Sequence, residues 1–542
     1  MKLTLGWFLL FSTLFNNGYG WSSEIFSESL KIAPLPDGRV STTFSFNTVL
    51  EGALPRDPRS LTSQDASQHY VLFPLTLGQI LREYAVTELH LSLNAGNWNY
   101  ERWGYPEEKG VGTGAELLAW MGVEGSESVD DRWKGLRNAL AGLFCASLGS
   151  LDEQRTTSPD RAFFPQGMLP DWSGNVTHQL RHASLPSEHV CTENLTPFLK
   201  LLPCKSLSGI SSLLNPHRVF DADWHGMGVH VSWLGAAGVQ VRLTFQSVMD
   251  PLRYSRNTSR NWSLRSLFGH GIERNCPAAS SSVIEVTLPD SEHPSLTPQP
   301  QTSSGSKATY DVLTAEKTLD VAMQWQDGFQ YPSILNNSLP VSVTRTLRGF
   351  TQASGKLSLV LKNRRSTPQE LIYLETMPWF IQFYLHTLQT RIDGHLRDDI
   401  VSHMSYNAAV AHSRPTTFQA ELRLPPNSVT QLTLDVDKAF LRYTEHPPDA
   451  QRGWDLPPAV LIPLNPADPI NSNNSHTYNE YRLGEPIYTS TLLVDVATPD
   501  FSMPYNVIIF TCSLVAFIFG SVFNLLTRKF VVLHLDANQQ NN

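Results

Sequence analysis

Charged side chains are scarce in this sequence. Asp, Glu, Lys and Arg make up 17% of the 542 residues, and the formal net charge is −9. No basic patch alternates with aromatic residues, so nucleic acid is excluded as an expected partner. Low charge combined with 36 prolines and abundant Ser and Thr is typical of a glycosylated, β-rich ectodomain.

Long apolar runs are also few, and the two that exist lie at the ends of the chain. The run from Leu3 to Phe15 follows one lysine and precedes small residues near Gly20. This arrangement predicts a secretory signal peptide over residues 1–20. The mature chain therefore begins near Trp21, in an oxidising compartment.

The second apolar run predicts a transmembrane helix over residues 504–527. It is uncharged from Val507 to Leu526, and about 20 residues suffice to cross a bilayer core. Arg528 and Lys529 follow at once, and the positive-inside rule then puts the C-terminus in the cytosol. We expect a single-pass type I membrane protein with a cytosolic tail over residues 528–542.

Catalytic motifs are lacking as well. The sequence contains no His-Glu-x-x-His, Gly-x-Ser-x-Gly, Walker or EF-hand pattern. The segment DADWHGMGVH offers His225 and His230, but an odd separation in a strand points them to opposite faces. His189 and Cys191, two residues apart, make a poor nucleophile–base pair. The expectation is no catalytic residue, no metal and no cofactor.

Only five cysteines are present, and Cys512 lies inside the predicted span. The other four allow three internal pairings, and the count leaves open whether one of them bonds another protein. Six Asn-x-Ser/Thr sequons are candidate glycosylation sites, at Asn175, Asn194, Asn257, Asn261, Asn336 and Asn473.

Alternating apolar and polar residues predict a mainly β fold with some α-helix in the N-terminal part. Strands are expected in segments such as RVSTTFSFNTVL, TELHLSLN, VIEVTL, KLSLVLK and SVTQLTLDVD. The segment ELIYLETMPWFIQFYLHTL is expected to form one or two strands, buried on both faces and interrupted at Pro378. Helices are expected in LTLGQILREYA, GAELLAWMGV and DDRWKGLRNALAGLFCASL. The lumenal architecture that we expect is a set of β-sandwich-type domains.

Composition shifts predict three lumenal segments. A mixed α/β region is expected over residues 21–290, and a β-rich domain over residues 308–503. Between them, residues 291–307 are rich in Ser and Pro and lack periodic apolar residues, which predicts a flexible linker or loop.

Several long stretches resemble the PIG-T family of GPI transamidase subunits, in a fungal-looking form. They cover essentially the whole mature chain and include FPLTLGQILREYAVTELHLSLNAGNWNYERWGYP, LFCASL, VCTENLTPFLKLLPC, LETMPWFIQFYLHTL, LPPNSVTQLTL and TPDFSMPYNV. The resemblance implies a non-catalytic subunit of the endoplasmic reticulum membrane. Its complex joins a preassembled GPI anchor to the C-terminus of a proprotein.

The resemblance also bears on the cysteines. The family subunit is joined by a disulfide to a catalytic, cysteine-peptidase-like subunit, and the family's cysteine matches Cys191 here. Cys204 would then pair with Cys145, and Cys276 would be left unpaired or would displace one of these two. The expected role is a structural and substrate-gating subunit, with other membrane subunits, the GPI lipid and the proprotein as partners. The alternative is a lumenal type I lectin-like or cargo-receptor protein.

Overall fold

The structure is a computed structural model. It describes residues 23–63, 70–172, 176–254, 259–289, 294–315, 317–331, 339–349, 351–446, 452–466, 477–478, 481–498, 502–529 and 531. The predicted signal peptide over residues 1–20 lies outside the described residues. So do residues 530 and 532–542 of the predicted tail.

The N-terminal unit, residues 23–331, is built on an 11-stranded sheet. Its strand order is β12-β13-β10-β1-β2-β8-β7-β3-β4-β6-β5, and a small sheet in the order β11-β14-β9 lies apart from it. The strands are β1 (Glu24–Pro34), β2 (Val40–Leu50), β3 (Val86–Ala95), β4 (Gly114–Gly122), β5 (Thr156–Thr157), β6 (His178–Leu185), β7 (Trp224–Trp233), β8 (Val239–Met249), β9 (Trp262–Ser263), β10 (Ser281–Thr287), β11 (Ser295–Thr297), β12 (Thr302–Ser304), β13 (Lys307–Asp311) and β14 (Ala322–Gln324).

The helices of this unit are α1 (Leu75–Glu83), α2 (Tyr100–Trp103), α3 (Val129–Phe144), α4 (Thr192–Lys200), α5 (Pro216–Val219), α6 (Pro251–Tyr254) and α7 (Leu264–Phe268). Helices α1, α3, α4, α5 and α7 bury apolar residues in the N-terminal core on one face of the sheet, whereas Tyr100 of α2 belongs to the core cluster of the C-terminal unit. In α3 the apolar residues Trp133, Leu136, Leu140 and Phe144 recur at helical spacing and are buried in the N-terminal core. Ser128 caps its N-terminus by accepting a hydrogen bond from Asp131 N at 3.1 Å.

The opposite face of the same sheet is polar yet buried. Along β3, Leu89, Leu91 and Leu93 belong to the core, whereas Glu88 and His90 alternate with them. A strand that is buried on both faces in this way can hold ionisable groups away from solvent, and several neighbouring strands contribute more of them.

The C-terminal unit, residues 339–498, packs two sheets around one core. The second sheet of the molecule has the order β15-β16-β23-β19-β20, with β18 on β23, and the third has the order β21-β22-β17-β25-β27-β26, with β28 on β25. A short pair, β24 and β29, completes the unit. The strands are β15 (Val341–Arg348), β16 (Ser354–Asn363), β17 (Gln369–Met377), β18 (Ile381–Phe383), β19 (Gln389–Ile392), β20 (His395–Leu396), β21 (Val401–Asn407), β22 (Thr416–Leu424), β23 (Val429–Lys438), β24 (Trp454–Leu456), β25 (Val460–Pro466), β26 (Thr477–Tyr478), β27 (Tyr481–Leu483), β28 (Ile487–Tyr488) and β29 (Leu492–Val494).

The prediction of a mainly β chain with helices in its N-terminal part is confirmed. Both segments of ELIYLETMPWFIQFYLHTL form strands, β17 and β18, and Pro378 separates them. The two-sheet packing of the C-terminal unit has the sandwich form. The N-terminal unit instead packs helices on its sheet.

The helix expected in GAELLAWMGV is wrong, because this segment forms strand β4. It pairs with β3 on one side and with β6 on the other. Ala115, Leu117 and Ala119 face the core, while Leu118 and Trp120 are half-buried on the other face. Apolar residues on both faces give a continuous run that periodicity does not separate from a helix.

The linker expected over residues 291–307 is also wrong within its described part. Strands β11 and β12 lie in it, and β12 continues the first sheet through β13, which pairs with β10. The change of unit falls later, between β14 and β15. A stretch without apolar residues can still form a strand when it lies at a solvent-facing sheet edge, as the exposed residues of β12 do.

The two units contact each other through apolar and polar side chains. Trp98 and Trp224 of the N-terminal unit belong to the core cluster of the C-terminal unit. The Arg161 guanidinium lies 2.7 Å from Glu421 Oε1, and Tyr488 donates its hydroxyl to Glu116 at 2.9 Å. The described parts of the two units therefore form one packed body.

Helix α8 (Ser502–Thr527) follows the C-terminal unit. It has 26 residues with a hydropathy of 2.2, and none of its side chains is buried in the protein. It agrees with the predicted span over residues 504–527, and within the described part of the chain it is the one helix that is long and apolar enough to cross a membrane.

Candidate functional site

Cys191 lies directly before helix α4 and is exposed. Its backbone is extended, with φ −142° and ψ −176°, which is the usual conformation of a residue that precedes a helix. Its thiol is free, so within the described chain it has no disulfide partner.

Asn194 fixes the position of Cys191. Its Oδ1 accepts a hydrogen bond from Cys191 N at 2.8 Å, and its Nδ2 donates to the carbonyls of Phe144 and Cys145 at 2.9 and 3.2 Å. The first bond satisfies a free N–H at the start of α4, and the other two satisfy free carbonyls at the end of α3. One buried side chain thus joins the two helix ends.

Cys145 lies at the other end of this connection. It terminates α3 in the left-handed conformation, with φ 52° and ψ 40°, a position that glycine usually occupies. Its thiol is exposed and free. The two exposed cysteines of the N-terminal unit therefore belong to neighbouring helix ends.

The expected pairing of Cys145 with Cys204 is wrong, because Cys204 is bonded to Cys276. Their Cα atoms are 5.9 Å apart, although 72 residues separate them in sequence. Strand β10, which follows Cys276, pairs in parallel with the distant strand β1, and sequence spacing does not reveal this long-range pairing. In the chain-entropy model a loop of this size contributes about 4 kcal/mol.

The segment after the disulfide is held by a buried carboxylate. Glu28 Oε1 accepts hydrogen bonds from Ile210 N at 3.0 Å and from the Ser282 hydroxyl at 2.6 Å. Burial raises the pKa of Glu28, and these hydrogen bonds oppose the rise. Gly209, which precedes Ile210, has φ +69°, and a Cβ added at this position would lie 2.7 Å from Cys276 Cβ.

Two of the six predicted glycosylation sites lie among the described residues. Asn261 is exposed. Asn194 is 1% exposed, and its Nδ2 is engaged in hydrogen bonds, which argues against a glycan on this side chain in the folded protein. Asn175, Asn257, Asn336 and Asn473 lie outside the described residues.

A second group of buried ionisable residues lies on the polar face of the first sheet, and sequence reasoning missed it. His90 Nε2 is 2.8 Å from Glu88 Oε1, and the Nδ1 atoms of His90 and His230 are 3.0 Å apart. His230 Nε2 lies 3.2 Å from Glu108 Oε1, and Glu108 is also paired with Arg242. The sequence signal was the polar alternation in TELHLSLN, where Glu88 and His90 fall on one face.

Burial and neighbouring charges shift two pKa values in this group. Burial lowers the pKa of His230 to about 3, although the Glu108 carboxylate opposes this. Burial also works against ionisation of Glu108, but His230 and Arg242 outweigh it and lower the pKa of Glu108. No group of three His, Cys, Asp or Glu residues in the described ranges is arranged to hold a metal ion.

The chain matches a family model over residues 9–261 and 254–542, which together span nearly its full length. That model is described as the Gpi16 subunit, GPI transamidase component. The chain belongs to the Gpi16 family.

Relatives from animals and yeast agree with this assignment. The GPI-anchor transamidase component PIGT of Homo sapiens is 35% identical and that of Mus musculus 34%, with 93% of this chain covered in both cases and 90% and 89% of those proteins. The GPI transamidase component GPI16 of Saccharomyces cerevisiae is 31% identical, over 94% of this chain and 89% of its own length. The resemblance inferred from the sequence is confirmed.

Proposed function

We propose that this chain is a non-catalytic structural and substrate-gating subunit of the GPI transamidase in the endoplasmic reticulum membrane. Membership of the Gpi16 family supports a place in that complex. We assign the ectodomain to the lumen and the C-terminus to the cytosol, since α8 is followed by Arg528 and Lys529.

We further propose that Cys191 forms a disulfide with the catalytic, cysteine-peptidase-like subunit. The observation that carries this is an exposed, unpaired thiol whose backbone is fixed by a buried Asn194. A thiol on a rigid support keeps one direction relative to the body of the protein. A bond from it would hold the catalytic domain at high effective concentration without needing a large contact area.

A rigid ectodomain suits the gating part of the proposal. Transamidation through a thioester must admit an amine while excluding water, which requires walls and a defined entry near the reacting atoms. Two units that share apolar and ionic contacts can present such walls in a fixed arrangement. The nucleophile then belongs to another subunit.

The test exchanges each exposed cysteine for serine. In the full-length chain, Cys191→Ser is expected to remove the heavy band that contains this chain on a non-reducing gel, while the complex still purifies in mild detergent. Cys145→Ser is the matched control, because Cys145 is also free and exposed, and it is expected to keep the band. A band that persists in Cys191→Ser would overturn the assignment of this cysteine.

A second measurement tests membership of the complex itself. The chain is purified in mild detergent, and the co-purifying chains are identified by mass spectrometry together with the peptide bonded at Cys191. We expect a cysteine-peptidase-like chain in both analyses. Purification of this chain alone, with no other membrane subunits, would contradict the proposed function.

A further inference from the structure

One end of the C-terminal unit is kept close to the membrane by the length of the chain. Val496 is buried in the core of this unit, and helix α8 begins at Ser502. Six residue steps separate these two positions, and a fully extended chain spans at most about 22 Å over six steps. Since α8 is the segment that we assign to the bilayer, the surface around Val496 lies within that distance of the start of the span.

Phe440 lies at this same end of the unit. Lys438, two residues before it, donates from its ammonium group to Asp495 O and Asp495 Oδ1, at 3.0 and 3.1 Å. Ala439 N donates to Phe380 O at 2.7 Å, and the Phe380 ring packs on β24, which is the partner strand of β29. Two separate sets of contacts therefore join the segment of Phe440 to the strand from which the chain leaves the unit.

The neighbours of Phe440 hold its side chain out from this surface. Leu441 is 1% exposed and the Lys438 side chain 5%, whereas Phe440 is 68% exposed. Turning the Phe440 ring inward would pull Leu441 out of the core. Leu493 of β29, which is 58% exposed, adds a second apolar side chain beside the exit of the chain. Single exposed apolar residues are common, but these two lie on rigid supports at the membrane-proximal end.

The chemistry of these side chains favours a lipid bilayer as their partner. Aromatic and aliphatic side chains are stabilised at the boundary between headgroups and acyl chains. Arg442, two residues after Phe440, is 82% exposed and has one loose contact with Glu445, at 3.9 Å, so its guanidinium can reach lipid phosphates. An apolar ring next to a cation is the combination that an interfacial contact requires.

We propose that Phe440 and Leu493 form a membrane-contact surface that rests on the lumenal leaflet, with the Phe440 ring at the boundary between headgroups and acyl chains. The C-terminal unit is then held to the bilayer at two places, by α8 and by this surface, which restricts its rotation about the tether. The proposal goes beyond the role of the chain in the transamidase. It rests on the membrane assignment of α8 and does not involve Cys191.

Photo-crosslinking identifies what Phe440 touches. Benzoylphenylalanine, a photoreactive amino acid, replaces Phe440 in the full-length chain, which is purified with its co-purifying subunits into phosphatidylcholine nanodiscs and irradiated. We expect the intact mass of the chain to increase by one phospholipid. We expect no new heavy band on a reducing gel, because a lipid adduct hardly changes the mobility of a protein.

Leu396 provides the matched control. It is 62% exposed and belongs to the same unit and the same sheet as β23. The pairing of Leu396 with Arg391, and of Arg391 with Gln431, puts it near the start of β23, seven residues from Lys438. Seven residues of a strand extend over about 23 Å. Benzoylphenylalanine at position 396 is expected to give no lipid adduct.

Fluorescence quenching measures the depth of the contact. An environment-sensitive fluorescent amino acid replaces Phe440 or, as the control, Leu396, and the nanodiscs carry a nitroxide on an acyl carbon near the headgroup. Position 440 is expected to lose about half of its emission, since apolar side chains at the interface lie about 5–10 Å into this boundary. Position 396 is expected to keep its emission. Circular dichroism verifies that each labelled protein unfolds at the midpoint of the parent.

The proposal fails if position 440 gives no lipid adduct and no quenching, or if positions 440 and 396 react with lipid equally. It also fails if position 440 cross-links to another subunit in a heavy band, because a protein would then cover this surface. None of these results changes the non-reducing band of Cys191 or the identity of the co-purifying chains. Failure of this surface and failure of the proposed function are therefore distinguishable.

Discussion

In the segment VCTENLTP, the side chain of Asn194 has a structural role that its sequence context does not indicate. Asn194 has the sequence context of a glycosylation site, yet its side chain connects the ends of α3 and α4 through three hydrogen bonds. It is the residue that gives the thiol of Cys191 a defined direction. A surface modification and an internal cap are mutually exclusive uses of one amide nitrogen.

Asn194→Ala is expected to lower the free energy of unfolding by about 1–2 kcal/mol, as loss of a capping side chain does. It is also expected to leave the number of N-glycans unchanged, since this amide is buried. Thermal unfolding measures the first effect and intact mass the second. Asn261→Ala serves as the control from an exposed sequon, and loss of a glycan in Asn194→Ala would refute the burial argument.

Glu28 predicts a dependence of stability on pH. Burial raises its folded-state pKa above the ordinary value of 4.5. The folded state therefore binds the proton more tightly than the unfolded state, and the resulting stability is lost as pH rises through the folded pKa.

Glu28→Gln keeps an oxygen for Ile210 N and the Ser282 hydroxyl but does not titrate. We expect this variant to gain stability relative to the parent as pH rises from about 4 to 7. The measurement is the unfolding midpoint across that range. Glu285→Gln, on the same strand pair but partly exposed, is expected to change little, and parallel pH profiles for Glu28→Gln and the parent would contradict the prediction.

Among elements, strands β15 and β17 belong to different sheets and are joined by a fully buried ion pair. Arg345 lies 2.7 Å from Glu375 Oε1, and Tyr373 donates its hydroxyl to the other oxygen at 2.6 Å. Burial raises the pKa of Glu375 while Arg345 opposes the rise. The group fixes how the second and third sheets are placed relative to each other.

Arg345→Met is expected to destabilise the C-terminal unit by about 3–5 kcal/mol, because it leaves a buried carboxylate without its cation. Replacing the whole group, with Arg345→Met, Glu375→Leu and Tyr373→Phe together, is expected to recover most of that loss. Denaturant unfolding of the three proteins measures both effects. If the triple variant is no more stable than the single one, packing rather than charge is the cause.

At the scale of the whole molecule, the two units share a polar junction as well as a core. Tyr488 N donates to the Tyr100 hydroxyl at 3.0 Å, and the Tyr488 hydroxyl donates to Glu116, which also lies 2.9 Å from His182 Nε2. A scaffold that orients a partner needs such fixed geometry, because independent motion of the two units would change the shape of any surface to which both contribute.

Tyr488→Phe is expected to cost about 1.5–3 kcal/mol, as loss of a buried hydrogen bond to a charged group does. Tyr384→Phe is the matched control, because the Tyr384 hydroxyl also donates to a carboxylate, that of Asp437, but in an exposed setting. The unfolding midpoint by circular dichroism and by tryptophan fluorescence is the measurement. Equal effects of the two substitutions would show that the junction adds nothing to stability.

The sequence by itself determined the features that depend on local pattern. The α8 span follows from a run of apolar residues long enough for a bilayer, α3 from its apolar stripe and acidic first turn, and β17 and β18 from strand-like residues around Pro378. Strong similarity along the whole chain also determined the family. Each of these signals lies within a short window or in direct comparison of residues.

Only the tertiary structure decided the features that depend on distant contacts. Pairing with β3 and β6 made GAELLAWMGV a strand. Long-range folding of the chain brought Cys204 to Cys276, and the packing of α3 near α4 buried Asn194. The contact between His230 and Glu108 arises in the same way, from elements far apart in sequence. The physical reason is common to all four: burial and pairing are properties of the packed fold, and no local pattern encodes which distant segment will provide the neighbour.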